Sequence, residues 1–293
     1  MLTLEDEKKL AELIKKWTEP FNWRSNFSDW RYQRLWQENF QEKEIKFLEN
    51  KFPDLKRKKI LDLGCGMGGF LVAMRRRGYN IQGLEANDDY CQIARLRGKR
   101  YGIDLEIANT KGEETPFEAE GFDFIYCNDV LEHTENPRQI LEKIYKILKP
   151  NGQVYITVIN RFGFRDHHYQ LKFINWMPRV VAEWIINLKN IQKEDSLAGR
   201  QRLSHMHYFT FRSFQKIARE IGFSIQDLNK YKIDNPGLVN NPRIRKMIKI
   251  LTALRLINFI YRPISLFYFS GFRFLLEKNK LNSPLPNKDT NPA

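Results

Sequence analysis

Apolar residues recur along this chain in two alternating rhythms. Short runs, KKILDLG (58–64), NIQGLEA (80–86), DLEIANT (104–110), FDFIYCND (122–129) and QVYITVIN (153–160), read as strands. Between them lie segments with apolar positions at helical spacing. These are GGFLVAMRRRG (68–78), stopped by Gly78, DDYCQIARLRGKRYG (88–102), and NPRQILEKIYKILKPNG (136–152), closed by Pro150 and Gly152. Strand and helix in turn call for a parallel sheet covered on both faces. The rhythm lapses over 161–206, too long for a simple connection. It resumes with a helix over TFRSFQKIAREIGF (210–223) and a strand over SIQDLNKYKI (224–233). A second lapse covers 237–268, and GFRFLLEK (271–278) alternates as a final strand. The first fifty residues read as helices joined by an aromatic-rich linker, with Leu35, Phe40, Ile45 and Leu48 predicting a helix over 35–50.

The pattern divides the chain into a helical and aromatic cap (1–50), a ligand-binding core (51–160) and a helical substrate-lid insertion (161–207). The core is completed over 208–278, which carries a basic amphipathic insertion at 237–268, and a flexible tail follows (279–293).

Composition adds one unusual feature. Hydrophobic content of 42% and charged content of 29% are ordinary for a globular protein, but a net charge of +14 is not. The surplus points to lipid headgroups or nucleic acid as partner, or serves solubility. Cys65, Cys91 and Cys127 form no CxxC pair, so neither a disulfide framework nor a zinc site is indicated, and a reducing, cytoplasmic location fits. The opening MLTLEDEKKLAELIKKW is a charged amphipathic helix without an apolar h-region and does not read as a signal peptide. No uncharged apolar run is long enough to predict a membrane span.

The glycine-rich turn Gly64-Cys65-Gly66-Met67-Gly68-Gly69 satisfies GxGxxG, which also fits dinucleotide sites. Glycines let the backbone approach a ligand, and the following helix N-terminus favours an anion. Asp62, two places before the first glycine, would be an awkward neighbour for a pyrophosphate. A ligand with separate positive and negative groups has no such conflict, and S-adenosylmethionine is one. A carboxylate and an ammonium roughly 4 Å apart, at an effective dielectric of ~20, attract with a Coulomb term of about 4 kcal/mol before desolvation. Glu85 lies at the carboxyl end of the next strand, where a carboxylate can accept both hydroxyls of a ribose.

The ordered set DLGCGMG, GLEA, GEETPF, GFDFIYCNDVLEH and LKPNGQVYI resembles the motifs of class I S-adenosylmethionine-dependent methyltransferases over about residues 55–160. Weaker support comes from 208–234 and 271–278. The resemblance implies an α/β, Rossmann-like, seven-stranded and mostly parallel sheet with a reversed last strand and helices on both faces. The helical N-terminal extension and two helical insertions are added to it. It implies cofactor contacts at Gly64, Glu85 and Asn128, with Asp62, Gly66 and Gly68 shaping the loop and Cys65 and Ala86 beside them. Lys111 stands where such enzymes often carry an acid, which leaves the adenine to the Gly112 backbone and Glu113.

Within that family the run Asp129-Val130-Leu131-Glu132-His133 is similar to the ubiquinone-biosynthesis O-methyltransferases. In that branch a carboxylate-x-x-Glu-His run can hold a divalent metal. Asp129 departs from the usual Glu, and no metal is expected. Methyl transfer is mostly positioning, so no dense catalytic constellation is required. Candidates for the acceptor's proton are His133, His167, His168 and His207, the last three at the two ends of the first insertion. They can equally form a structural polar network or a metal cluster.

Both insertions are apolar and basic. Val180, Val181, Trp184, Ile185 and Leu188 fall at helical spacing. Nine Lys/Arg and one acid, Glu277, lie between Arg243 and Lys280. Such segments suit an anionic membrane surface, with cytoplasmic placement on its inner face, or else a lid and dimer face. The cations are interleaved with Ile, Leu and Phe, unlike an RNA-binding face, and no nucleic-acid partner is expected. The expected activity is O-methylation of an amphiphilic small molecule or lipid-linked acceptor. Alternatives are a small soluble metabolite, RNA, or a cofactor-binding subunit without chemistry. The oligomeric state is left open.

Overall fold

The computed structural model describes residues 3–191, 194–195, 199–200, 202–239 and 241–279. Its N-terminal region holds α1 (Leu4–Thr18), α2 (Phe27–Leu35) and α3 (Glu42–Lys51). Thr3 and Asp6 close a reciprocal capping box at the head of α1. The core then runs β1 (Lys59–Leu63), α4 (Gly69–Arg76), β2 (Asn80–Glu85), α5 (Asp88–Lys99), β3 (Ile107–Asn109), β4 (Phe122–Cys127), α6 (Pro137–Ile147) and β5 (Leu148–Ile159). The first insertion contributes α7 (Arg179–Leu188) and a small hairpin, β6 (Glu194–Asp195) with β7 (Gly199–Arg200). The chain returns through α8 (Phe211–Ile221), β8 (Phe223–Asp227) and α9 (Leu228–Asp234). The second insertion is α10 (Pro242–Ala253) and α11 (Ile257–Phe267), and β9 (Gly271–Lys278) ends the sheet.

The sheet has seven strands in the order β3-β2-β1-β4-β5-β9-β8. β9 pairs antiparallel with both β5 and β8, so it alone is reversed. Side chains alternate across the sheet, and both faces are apolar. Leu61, Leu63, Ile125 and Cys127 pack towards α6 and α8, while Ile60, Phe124 and Tyr126 pack towards α3 and α4. Asp62 interrupts this pattern in β1.

Three local readings of the pattern need correction. The expected helix over 35–50 is broken: Leu35 ends α2, a short 3-10 turn follows, and Phe40 is exposed. The aromatic linker itself contains α2. The strand at 104–110 shrinks to three residues. The strand over 224–233 stops at Asp227, whose carboxylate accepts from the Asn229 and Lys230 N–H groups and starts α9 instead. The first insertion is helical in α7, as expected, and its described residues also hold 3-10 turns and a two-residue-strand hairpin. Of the expected flexible tail, 280–293 lies outside the described residues.

One buried guanidinium ties the N-terminal helices to the core. Arg97, on α5, is fully buried and paired with the equally buried Glu38. It also donates to the carbonyls of Met67 (2.9 Å), Leu35 (2.9 Å) and Arg34 (2.8 Å). Arg100 and Tyr101 each reach Glu38 Oε1 at 2.9 Å. Burial pushes the Glu38 carboxyl up, but Arg97 and the hydrogen bonds more than offset this and leave it below its ordinary value. Glu38→Ala strands a buried cation and is expected to cost about 3–5 kcal/mol in denaturant unfolding. A loss under ~1 kcal/mol would show that the cap is held by other contacts.

Candidate functional site

At the carboxyl end of β1 the chain turns sharply. The Gly64 and Cys65 N–H groups both donate to the Leu84 carbonyl, at 2.8 and 3.0 Å, which seats the turn against β2. Gly64 has φ +74°, and a Cβ there would stand 2.4 Å from Val130 Cγ2, so only glycine fits. Gly66 has φ +53°, and a Cβ there would meet nothing within 4 Å. Its backbone faces open space. Gly68 instead lets α4 approach α5, with its hypothetical Cβ 2.6 Å from Ala94 Cβ.

Glu85 closes the loop from the other side. Its Oε2 accepts from the Gly66 N–H and its Oε1 from the Asn87 N–H, both at 2.9 Å. An ionised carboxylate offers about four acceptor positions. Asp62 lies beneath the loop, 3% exposed, and its Oδ2 has no hydrogen-bond partner. Burial first, and Glu85 second, push its carboxyl up to about 8. A carboxylate placed so waits for a cation or a donor.

The loop, Glu85, Ala86 and Asn87 form one wall of a crevice of about 640 Å³. Gly112, Glu113 and Ile140 form its far end, and Glu113 Oε1 is buried without a partner. The N-terminal cap supplies the opposite wall, with Trp17, Phe21, Arg24, Trp30 and Arg34. Trp17 and Trp30 stack at 5.5 Å, and Trp17 donates from its indole to the Tyr90 hydroxyl at 2.8 Å. Arg24 and Arg34 lie over the Trp30 ring at 4.7 and 5.2 Å. Burial lowers both guanidinium pKa values.

A methyltransferase-domain family model matches residues 31–228. The chain belongs to the class I S-adenosylmethionine-dependent methyltransferases. It is 36% identical over 190 residues to a ubiquinone biosynthesis O-methyltransferase of Pseudomonas entomophila, covering 62% of this chain and 75% of that one. The counterpart of Salmonella paratyphi A is 32% identical over 133 residues, 45% of this chain and 51% of that one. The chain thus spans about half the length of several curated relatives it matches. A solved S-adenosylmethionine-dependent methyltransferase of Mesorhizobium loti shares the fold at TM-score 0.50 and 15% identity, covering 80% of this chain and 98% of that one.

The methyltransferase's sequence-derived site residues do not all meet. Gly64, Gly66, Glu85, Ala86, Gly112 and Glu113 line the crevice. Asp62 and Gly68 lie behind its loop, and the Cys65 side chain turns into the core beside Leu71 and Gly83. Asn128 lines a second, adjoining cavity of about 650 Å³. His133, His167 and His168 reach the crevice, but the His207 side chain is exposed and away from it. Only its backbone takes part, donating to the Glu132 carbonyl at 3.1 Å.

Asp129 and His167 line both cavities. Asp129 sits at φ +56° and is held by Thr157, whose hydroxyl accepts from the Asp129 N–H (2.8 Å) and donates to Oδ1 (3.1 Å). Asn128 donates to its Oδ2 at 2.9 Å, and His167 Nε2 is 3.7 Å from that oxygen. The trio with metal-ligand proximity among the described residues is Glu132, His133 and His168, with donor atoms within 4.8 Å of one another. Asp129 is not in it, because Thr157 and Asn128 turn it elsewhere. The cap arginines and tryptophans escaped the sequence reading, since an aromatic run does not say which surface it will cover.

S-adenosylhomocysteine keeps the cofactor's ammonium and is the natural probe of Asp62. Below about pH 8 the unliganded Asp62 holds its proton, whereas a cation beside it favours the anion. Binding at pH 7 is therefore expected to release a proton, and affinity should rise with pH towards about 8. Calorimetry in buffers of different ionisation heats reads this directly. Asp62→Asn should bind without the release; an unchanged release would move the ammonium elsewhere.

Proposed function

We propose that this methyltransferase alkylates an oxygen of an amphiphilic acceptor drawn from an anionic membrane surface. The observation that carries the reading is the pair of adjoining cavities sharing Asp129 and His167. The crevice suits S-adenosylmethionine: Glu85 for the ribose hydroxyls, Asp62 towards the ammonium, the open Gly66 backbone for close approach, and Gly112 with Glu113 at the adenine. When bound, that cofactor supplies an electrophilic methyl group on a sulfonium. The second cavity then takes the acceptor.

At the boundary His167 accepts the hydroxyl proton and Asp129 orients its ring. Asp129 is itself fixed by two side chains, so the base is aimed before the acceptor arrives. The buried Glu132 lies 3.8 Å from His133 Nε2 and 3.6 Å from His168 Nε2, which positions the imidazoles behind His167. The O-methyltransferase relatives favour oxygen as the methylated atom.

The membrane part rests on apolar surface left uncovered. On α7 the stripe Val180, Val181, Trp184 and Leu188 is exposed, while Ala182 and Ile186 face inward. Met247 on α10, Leu254 just after it and Phe259 on α11 are exposed, Phe259 at 81%. Arg243, Arg245, Lys246 and Lys249 share this region. Among the described residues no helix is long and apolar enough to cross a membrane. An interfacial arrangement suits both facts.

Tritiated methyl transfer from S-adenosylmethionine into fractionated host extract is expected to label the organic phase, and label in nucleic acid or aqueous metabolites would overturn the reading. In the same assay His167→Ala should lower kcat by ~10²–10⁴-fold with cofactor affinity kept. For the surface, the protein should float with phosphatidylglycerol vesicles but not with phosphatidylcholine. Trp184→Glu combined with Phe259→Glu should abolish flotation. Wild-type protein that stays unbound at low salt would remove the membrane.

A further inference from the structure

Three cations face the second cavity. Arg165 and Lys172 come from the first insertion, and Arg273 comes from β9. Arg165 and Lys172 are antiparallel bridge partners, directly opposite one another. Like charges so placed repel, and the arrangement costs stability unless an anion lies between or beside them. Arg273 stands in register with Thr157, whose hydroxyl holds Asp129.

None of the three has a carboxylate within ion-pair distance among the described residues. Arg165 donates from Nε to the Gln170 carbonyl at 3.1 Å, and the Lys172 ammonium lies 5.9 Å from the Phe164 ring centre. The cavity's two carboxylates are already engaged. Asp129 accepts from Thr157 and Asn128. Asp166 accepts from the His168 and Tyr169 N–H groups and the Tyr208 hydroxyl. Neutral donors leave both carboxylates charged, and Asp129 and Glu44 act on Arg273 at longer range, so the three cations outnumber the cavity's carboxylates by one, and that excess faces whatever enters.

The remaining wall is aromatic and leads outward. Phe164 stacks on Tyr268 at 6.0 Å and meets Phe173 at 4.7 Å; Phe173 meets Trp176 at 5.2 Å, and Trp176 meets Phe267 at 6.3 Å. Phe173, Trp176, Phe267 and Tyr268 are all exposed, so the path opens onto the uncovered face of α11.

We infer that the acceptor carries an anionic group, carboxylate or phosphate, seated between Arg165, Lys172 and Arg273, with its apolar part leaving along the aromatic wall. This rests on the second cavity being the acceptor site. It adds a specificity element: a neutral amphiphile of the same length is discriminated against. Charge-assisted hydrogen bonds from guanidinium to an oxyanion supply the preference.

The test uses the full chain saturated with S-adenosylhomocysteine, titrated in a calorimeter with hexyl phosphate, hexanoate and hexanol. At least one anion is expected to bind about tenfold or more tighter than hexanol, a difference of about 1.4 kcal/mol. The tighter of the two anions identifies the group as phosphate or carboxylate. Arg273→Gln and Lys172→Gln should each erase most of the preference while leaving S-adenosylhomocysteine affinity unchanged, which also shows that the variants fold. Hexanol binding as tightly as both anions, or a preference that survives both substitutions, overturns the inference. Failure of S-adenosylhomocysteine itself to bind would instead overturn the cofactor reading beneath it.

Discussion

The Arg97 guanidinium is the constraint on which the site depends. A fully buried cation is tolerable only when its charge is paired and its donors are used. Here Glu38 balances the charge, and three carbonyls take three further donors. Those carbonyls belong to the glycine loop at Met67 and to the end of α2 at Arg34 and Leu35. One group therefore sets the distance between the cofactor loop and the cap that roofs it. The crevice exists at its present width because these two elements share a donor.

The same economy of charge governs the floor of the crevice. Asp62 occupies a position in β1 whose neighbours are apolar, and the sheet offers no partner to its Oδ2. Glu85 adds a second carboxylate nearby, though its oxygens are held by backbone N–H groups. Glu85 beside the turn, and an Asp62 that a neighbouring cation would ionise, suit a ligand that carries a positive group as well as hydroxyls. That explains why a phosphate-type glycine turn carries an acid at its root.

Much of this was legible in the order of residues. The five core strands, the helices between them, the reversed final strand and the glycine loop follow from periodicity and from the motif set. The second half of 224–233 was not, because a helix started by Asp227 has the same apolar content as a continued strand. Cys65 was placed at the ligand by its motif position, yet its side chain packs inward. His207 was grouped with His167 and His168 by sequence proximity to the lid, but its backbone, not its ring, joins Glu132. On α7 the sequence marks the apolar stripe Val180, Val181, Trp184 and Leu188, which is exposed, but not that the cluster of Tyr169, Ile174, Leu203 and Met206 takes the Ala182 and Ile186 side.

The sequence by itself marked the core strands and helices and the glycine turn, because hydrophobic period and glycine placement act within a few residues of chain, and the resemblance of its ordered motifs pointed to the family and its sheet. Only the tertiary structure decided that Asp129 and His167 stand between two cavities, that the cap's tryptophans and arginines roof the crevice, and that Arg165, Lys172 and Arg273 converge. Asp129 and His167 are 38 residues apart, and Arg273 lies 108 residues after Arg165. Their meeting depends on how strands register and how insertions fold back, and no local pattern encodes that distance.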